Sequence, residues 1–130
     1  MTQNIQTKKF RFRNFKVYQE SRKTSIEIKL LIRKSFPKEE MFGLTSQTSR
    51  ALDSIILNIA EGSERNTDKD FALFLTRSLA SLNEVVACLD IAVDNGYITE
   101  HDLNEKVNRL ENLANQISAF RKTLQTKPTK

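Results

Sequence analysis

The side chains able to do chemistry are few in these 130 residues, and the most ordered set is a polar row. Gln47, Ser54, Asn58 and Glu61 stand 7, 4 and 3 residues apart, which places them on one helix face beside an apolar stripe. Buried without partners, such groups cost about 1–3 kcal/mol each. The row therefore implies a hydrogen-bonded seam to another helix, a pocket, or exposure at a helix boundary, with Ser78 and Glu84 as candidate seam partners. Glu61 and Glu64 are carboxylates of the kind that perform acid–base work. No nucleophile, metal-ligand set or phosphate-cradling glycine loop accompanies them. The single Cys88 excludes an internal disulfide and a cysteine-built metal site, and reads as a small buried hydrophobe. The single His101, beside Glu100 and Asp102, excludes histidine-pair zinc motifs and reads as solvated. The Glu-x-x-His pairs of di-iron bundles are missing too. No metal, no cofactor and no enzymatic activity are expected.

Charge offers a different chemistry. Lys and Arg number 21 against 16 Asp and Glu, a formal net charge of +5. Residues 1–34 hold ten basic side chains against Glu20 and Glu27, so this first quarter carries +8 and the remainder −3. A basic segment of this kind attracts polyanions, nucleic acid above all; the alternative is a solvated helix face with a basic leader. Phe10 and Phe12 alternate with Lys9, Arg11 and Arg13. They suit either stacking on bases between phosphate contacts or anchoring the leader onto its own bundle or a neighbouring subunit, and anchoring is favoured.

The elements that position these residues follow from punctuation and period. Gly and Pro occur only at Pro37, Gly43, Gly62, Gly96 and Pro128, and apolar residues recur every three or four positions between them. The first helix is expected over 16–35, with Tyr18, Ser21, Ser25, Ile28, Ile32 and Phe36 as its core stripe and Pro37 as its stop. The second is expected over 45–61 on Leu44, Thr48, Ala51, Ile55 and Ile59, ended by Gly62 in a left-handed conformation. The third runs over 68–95 with Thr67 as cap, Asp70 three residues on, and Asn95-Gly96 as stop. The fourth starts at the cap Thr99, with Asp102 three residues later, and runs on Leu103, Val107, Leu110, Ala114, Ile117 and Leu124 to about 126. Short connections make neighbours antiparallel, so the fold class is all-α, an up-down-up-down four-helix bundle. It divides into a basic leader (1–14), a single bundle domain (15–126) and a frayed tail (127–130).

Leu30-Leu31-Ile32, Ile55-Ile56-Leu57 and the run 71–75 cover more than one helix face. The surplus over one core stripe implies packing between subunits. The longest apolar runs are five residues, 71–75 and 85–89, against the roughly twenty that span a bilayer. With no apolar stretch behind the charged N-terminus, no signal peptide, no membrane partner and a cytoplasmic location are expected.

Within the second helix Gln47, Arg50, Ala51, Ser54, Ile55, Asn58, Ile59, Ala60, Glu61 and Gly62 match the pattern Q-x-x-R-A-x-x-S-I-x-x-N-I-A-E-G. This resembles the hallmark of the four-helix-bundle family of 23S rRNA intervening-sequence proteins. Phe36-Pro37, Gly43-Leu44-Thr45, Arg65, Asp70-Phe71, Phe74-Leu75 and Gly96-Tyr97-Ile98 extend the resemblance over roughly residues 15–124. A later family pattern, A-x-G-S-x-x-E, is met only by Ser78 and Glu84, with Thr76 and Arg77 in place of small residues. The resemblance implies a small basic bundle assembled as a ring-shaped homopentamer. It also implies a fold similar to the accessory variability proteins of diversity-generating retroelements, which bind a reverse transcriptase and nucleic acid.

Together these readings lead to a non-enzymatic, homo-oligomeric bundle that binds RNA or DNA through phosphate contacts from Arg22, Lys23, Lys29, Arg33, Arg50 and Arg65. The alternative is a protein-interaction adaptor, for example a polymerase or reverse-transcriptase accessory subunit, in which Asn58 and Glu61 face a protein partner.

Overall fold

Local chemistry sets most helix ends. Thr67 Oγ1 accepts from the Asp70 N–H at 3.1 Å, and Thr99 with Asp102 closes a reciprocal capping box at 3.0 and 3.4 Å. Gly96, at φ 78°, supplies the left-handed turn after the third helix. The computed structural model describes residues 9–126; the first eight residues of the basic leader and the tail at 127–130 lie outside the described residues. Four helices result: α1 (Lys16–Ser35), α2 (Leu44–Gly62), α3 (Asp68–Asp94) and α4 (Glu100–Gln125). Short 3-10 turns occupy Arg11–Asn14 and Lys38–Glu40, and no strand occurs among the described residues.

Cross-helix partners give the directions. As α2 rises through residues 47, 54, 55 and 62, its partners on α3 fall through 84, 81, 78 and 71. Phe15, at the N-cap of α1, and Glu20 within it meet Phe120 and Arg109 of α4, again antiparallel. The expected up-down order is compatible with these pairings. Each helix packs on two others, closing a ring of four around Ile28, Leu52, Ile55, Ile59, Leu75, Leu89, Leu110 and Ile117. By length and composition α3 is also suited to a membrane span, at a mean hydropathy of 1.4; here 44 % of that window is buried, packed on α2 and α4.

Two expectations need correcting. Gly62 does not end α2 in a left-handed conformation, since Gly96 is the only glycine with positive φ among the described residues. Gly62 is a matter of space: a Cβ there would stand 2.7 Å from Phe74 Cβ and 2.8 Å from Phe71 Cδ1. The apolar surplus is also smaller than the sequence suggests. Leu31, Ile32, Ile55, Phe71, Ala72, Phe74 and Leu75 are all buried within one chain. A helix with two neighbours buries a face wider than one row. Ile26, Leu30, Leu57 and Leu73 stay about half exposed.

At one end of the bundle a carboxylate does the work of a cap. α2 has no side-chain cap at Gly43; instead Glu40 Oε1 accepts from the Leu44 N–H at 2.8 Å, and Glu40 Oε2 accepts from the Tyr97 hydroxyl at 2.7 Å. The Leu44 N–H first, and the Tyr97 hydroxyl second, hold the Glu40 carboxyl below its ordinary 4.5. The same bond to Glu40 pushes the Tyr97 hydroxyl above its ordinary 10.0. Glu40 therefore stabilises the fold above the ordinary carboxylate range and loses its contribution as pH falls through its lowered value. Tyr97 contributes fully below 10.0 and loses its share as pH rises through its raised value. Replacing Tyr97 by Phe is expected to flatten the alkaline limb of the melting temperature and shrink the acid limb. Thermal scans from pH 3 to 11 that give parallel profiles for parent and variant would rule this linkage out.

Candidate nucleic-acid interface

The polar row on α2 is a seam whose members differ in depth. Ser54 Oγ and Ser81 Oγ share a hydrogen bond at 2.8 Å, and the half-buried Asn58 Nδ2 donates to the Ser54 carbonyl at 2.8 Å and to its hydroxyl at 3.1 Å. Gln47 Nε2 donates to Glu84 Oε2 at 3.3 Å, so of the two candidate partners Glu84 joins the row. Ser78 is fully buried and donates instead to the Ile55 carbonyl at 2.8 Å, tying α3 to α2 through the backbone. Glu61 is exposed. Ser81 is the partner that sequence reading missed; its place one turn from both Ser78 and Glu84 was the available signal.

Between α2 and α3 this seam floors a polar groove of about 510 Å³, lined by Gln47, Arg50, Ala51, Ser54, Ser81 and Glu84. The hallmark pattern thus divides by face. Its apolar members Ile55 and Ile59 enter the core, Gln47, Arg50 and Ser54 line the groove, and the buried Ala51 lies at the boundary between the two. Arg50 is exposed there and forms no ion pair among the described residues.

The basic residues of α1 are treated differently by the fold. Lys29 is committed to Asp53 of α2 at 2.6 Å, and Lys23 lies 3.5 Å from Glu20. Arg22 rests over the Tyr18 ring at 5.7 Å, and Arg33 is exposed. Arg109 of α4 reaches across to Glu20 at 3.2 Å and Glu27 at 3.0 Å. Its hydrogen bond to Glu20, ahead of the nearby Lys23 charge, holds that carboxyl below the ordinary range. Of the first quarter's positive charge Lys29 is thus paired across the bundle, while Arg109 takes up its two carboxylates, Glu20 and Glu27.

The described part of the leader, residues 9–14, is anchored. Phe12 meets Tyr18 edge-on at 4.9 Å, and Arg11 Nη2 donates to the Ser63 carbonyl at 2.8 Å. Arg65, predicted as a phosphate contact, stands over the Phe74 ring at 5.2 Å, and Arg77 stands over the same ring at 4.6 Å. Arg11 and Arg77 were not among the candidates read from the sequence, although Arg77, three positions from Phe74 on one helix face, is a readable pair. Cys88 is buried and His101 exposed, as their surroundings in the sequence suggested.

A basic, all-α, four-helix bundle with the hallmark row on one helix defines the class. The family profile described as 23S rRNA-intervening sequence protein matches residues 13–119, and the chain belongs to that family. A crystal structure from Bacteroides thetaiotaomicron VPI-5482, described as a protein with unknown function from the S23 ribosomal protein family, shares the fold at a TM-score of 0.69. The two chains are 20 % identical, and the alignment covers 82 % of this chain and 98 % of that one. Comparison with curated proteins gives no match.

Proposed function

We propose that this protein is a non-enzymatic, homo-oligomeric bundle that binds RNA or DNA through backbone phosphates. One observation carries the reading: the formal charge is gathered at one end of the bundle. The segments 9–16, 61–77 and 117–126 meet there, and they hold nine basic against four acidic side chains, net +5; the other described residues hold nine basic against twelve acidic, net −3. Concentrated charge binds a polyanion where dispersed charge of equal size does not, because several counterions are released by one contact surface. Arg22, Arg33, Arg50 and Arg65 are exposed and form no ion pair among the described residues, so they remain contact candidates; Lys23 and Lys29 would first have to leave their carboxylates.

Assembly is proposed on separate grounds. Lys29 faces Asp53, and one turn further along both antiparallel helices stand Ile26 and Leu57, with Leu30 one turn from Ile26. This exposed apolar row suits a second copy of the chain. A homopentamer would have a mass of about 75 kDa, five times 15.0 kDa. The adaptor reading draws on the same row, which would then face a different protein.

Salt separates the two. The expected result is retardation of mixed-sequence RNA and DNA at about 50 mM salt, with affinity falling steeply as salt rises. Light scattering is expected to report a mass well above one chain. No binding to either polymer at low salt would dismiss the nucleic-acid reading in favour of the adaptor, and a stable 15.0 kDa monomer at micromolar concentration would dismiss assembly.

A further inference from the structure

Gly62, the last residue of the hallmark, brings two phenylalanines of α3 against one point of the α2 backbone. The position its Cβ would take is 2.8 Å from Phe71 Cδ1 and 2.7 Å from Phe74 Cβ, so the two side chains border the same spot. Each carries arginine. Arg11 Cζ lies 5.9 Å from the Phe71 centroid and 5.4 Å from that of Phe15, held by its bond to the Ser63 carbonyl. Arg65 and Arg77 share Phe74. Beside them Arg121 of α4 donates to Thr76 Oγ1 at 3.1 Å. None of these four guanidinium groups enters an ion pair among the described residues.

We infer that this arginine–phenylalanine end is the phosphate-binding site of the protein, taking the backbone of a single-stranded nucleic acid. The inference rests on the nucleic-acid reading above and gives it a place. A guanidinium laid on an aromatic face has lost much of its rotamer freedom before a ligand arrives, so less entropy is lost on binding. The contact with the ring uses the π-face and leaves the edge N–H groups to form paired bonds to phosphate oxygens. Phe71 and Phe74 are themselves buried, at 2 % and 8 % exposure, so bases cannot stack on them directly. Bases can stack on the outer face of a guanidinium, which requires unpaired nucleotides and favours a single strand over a duplex. Glu61, Glu64, Asp68 and Asp70 lie on the same end and set a limit on how closely the strand follows it.

The test uses the full chain and a fluorescein-labelled 20-nucleotide single-stranded RNA, read by polarisation over a salt series. Arg65→Gln with Arg77→Gln is expected to weaken binding about tenfold or more and to lower the salt slope by about 1.4, the value for two lost single-strand phosphate contacts. A Lys34→Gln with Lys38→Gln control removes the same charge from two exposed lysines elsewhere and is expected to bind within about twofold of the parent, because counterion release is counted at contacted phosphates. Arg65→Lys with Arg77→Lys keeps the charge and the fold while removing the forked donors, and is expected to recover only part of the loss. If the parent binds and the Gln pair binds as tightly as the control, the site lies elsewhere and the nucleic-acid reading survives. If the Lys pair binds as the parent does, the organised guanidinium geometry is not what holds the strand. A parent that fails to bind removes the underlying reading itself.

Discussion

Phe71→Ala is expected to lower the stability of this protein by about 3–5 kcal/mol, the range for truncating a buried phenylalanine. Phe71 is 2 % exposed and touches four other parts of the fold. It stacks on Phe15 at 6.1 Å, meets Phe120 edge-on at 5.5 Å, lies under Arg11 and borders Gly62. Those contacts come from the start of α1, the end of α4, the leader and the end of α2, so collapse from one side cannot fill the cavity. Since a domain of this size holds only about 5–15 kcal/mol in total, the melting temperature should drop by about 10–20 °C. Phe42→Ala is the comparison: at 93 % exposure it should shift stability by less than about 0.5 kcal/mol. Circular dichroism melts in which the two variants behave alike would refute the role given to Phe71.

Gly62→Val should be nearly as damaging, for the opposite reason. Here volume is added where none is free, and overpacking of a rigid site costs about 1–3 kcal/mol. The atoms in the way include a Cβ and a ring carbon of α3, which cannot swing aside as the far end of a long side chain does. A β-branched residue adds two methyl groups beyond that first clash, so the loss should lie near the top of the range. Alanine should be milder, because about 1 kcal/mol of helix propensity is regained on replacing glycine. Gly96→Ala makes a useful contrast: nothing lies within 4 Å of its Cβ position, and only its φ of 78° is unfavourable. That strain is worth about 1–2 kcal/mol. Chemical denaturation that places Gly62→Val at or above parental stability would show that α2 and α3 can separate locally, and the close approach would lose its explanation.

Both variants act at the end that carries the arginines, so their folding effects must be measured before any binding loss is interpreted. The Arg65 and Arg77 pair avoids this difficulty, since both side chains are exposed, Arg65 lies in the connection between α2 and α3, and glutamine is a good helix former at position 77.

The four helices and most of their ends are determined locally, and they were legible without the structure. Thr67 with Asp70, Thr99 with Asp102, and Asn95-Gly96 act through bonds and dihedral angles within a few residues, and the limits of α1 at 16 and 35 follow from the same reading. The polar row was legible as a row for the same reason, because helical period alone puts Gln47, Ser54 and Asn58 on one face. What the sequence by itself could not determine is everything that depends on which residue lies opposite. Gly62 looked like a chain terminator and proved to be a spacer, because its neighbours Phe71 and Phe74 come from the next helix. Lys29 looked as available as Arg65, yet Asp53, 24 residues away, neutralises it while the Arg65 guanidinium stands over the Phe74 ring. Arg109 pairs with Glu20 across 89 positions of chain. Steric exclusion acts at contact and screened Coulomb energy over about 10 Å in space, and neither takes account of distance along the chain, so only the packed bundle decides which charges remain unpaired and where they gather.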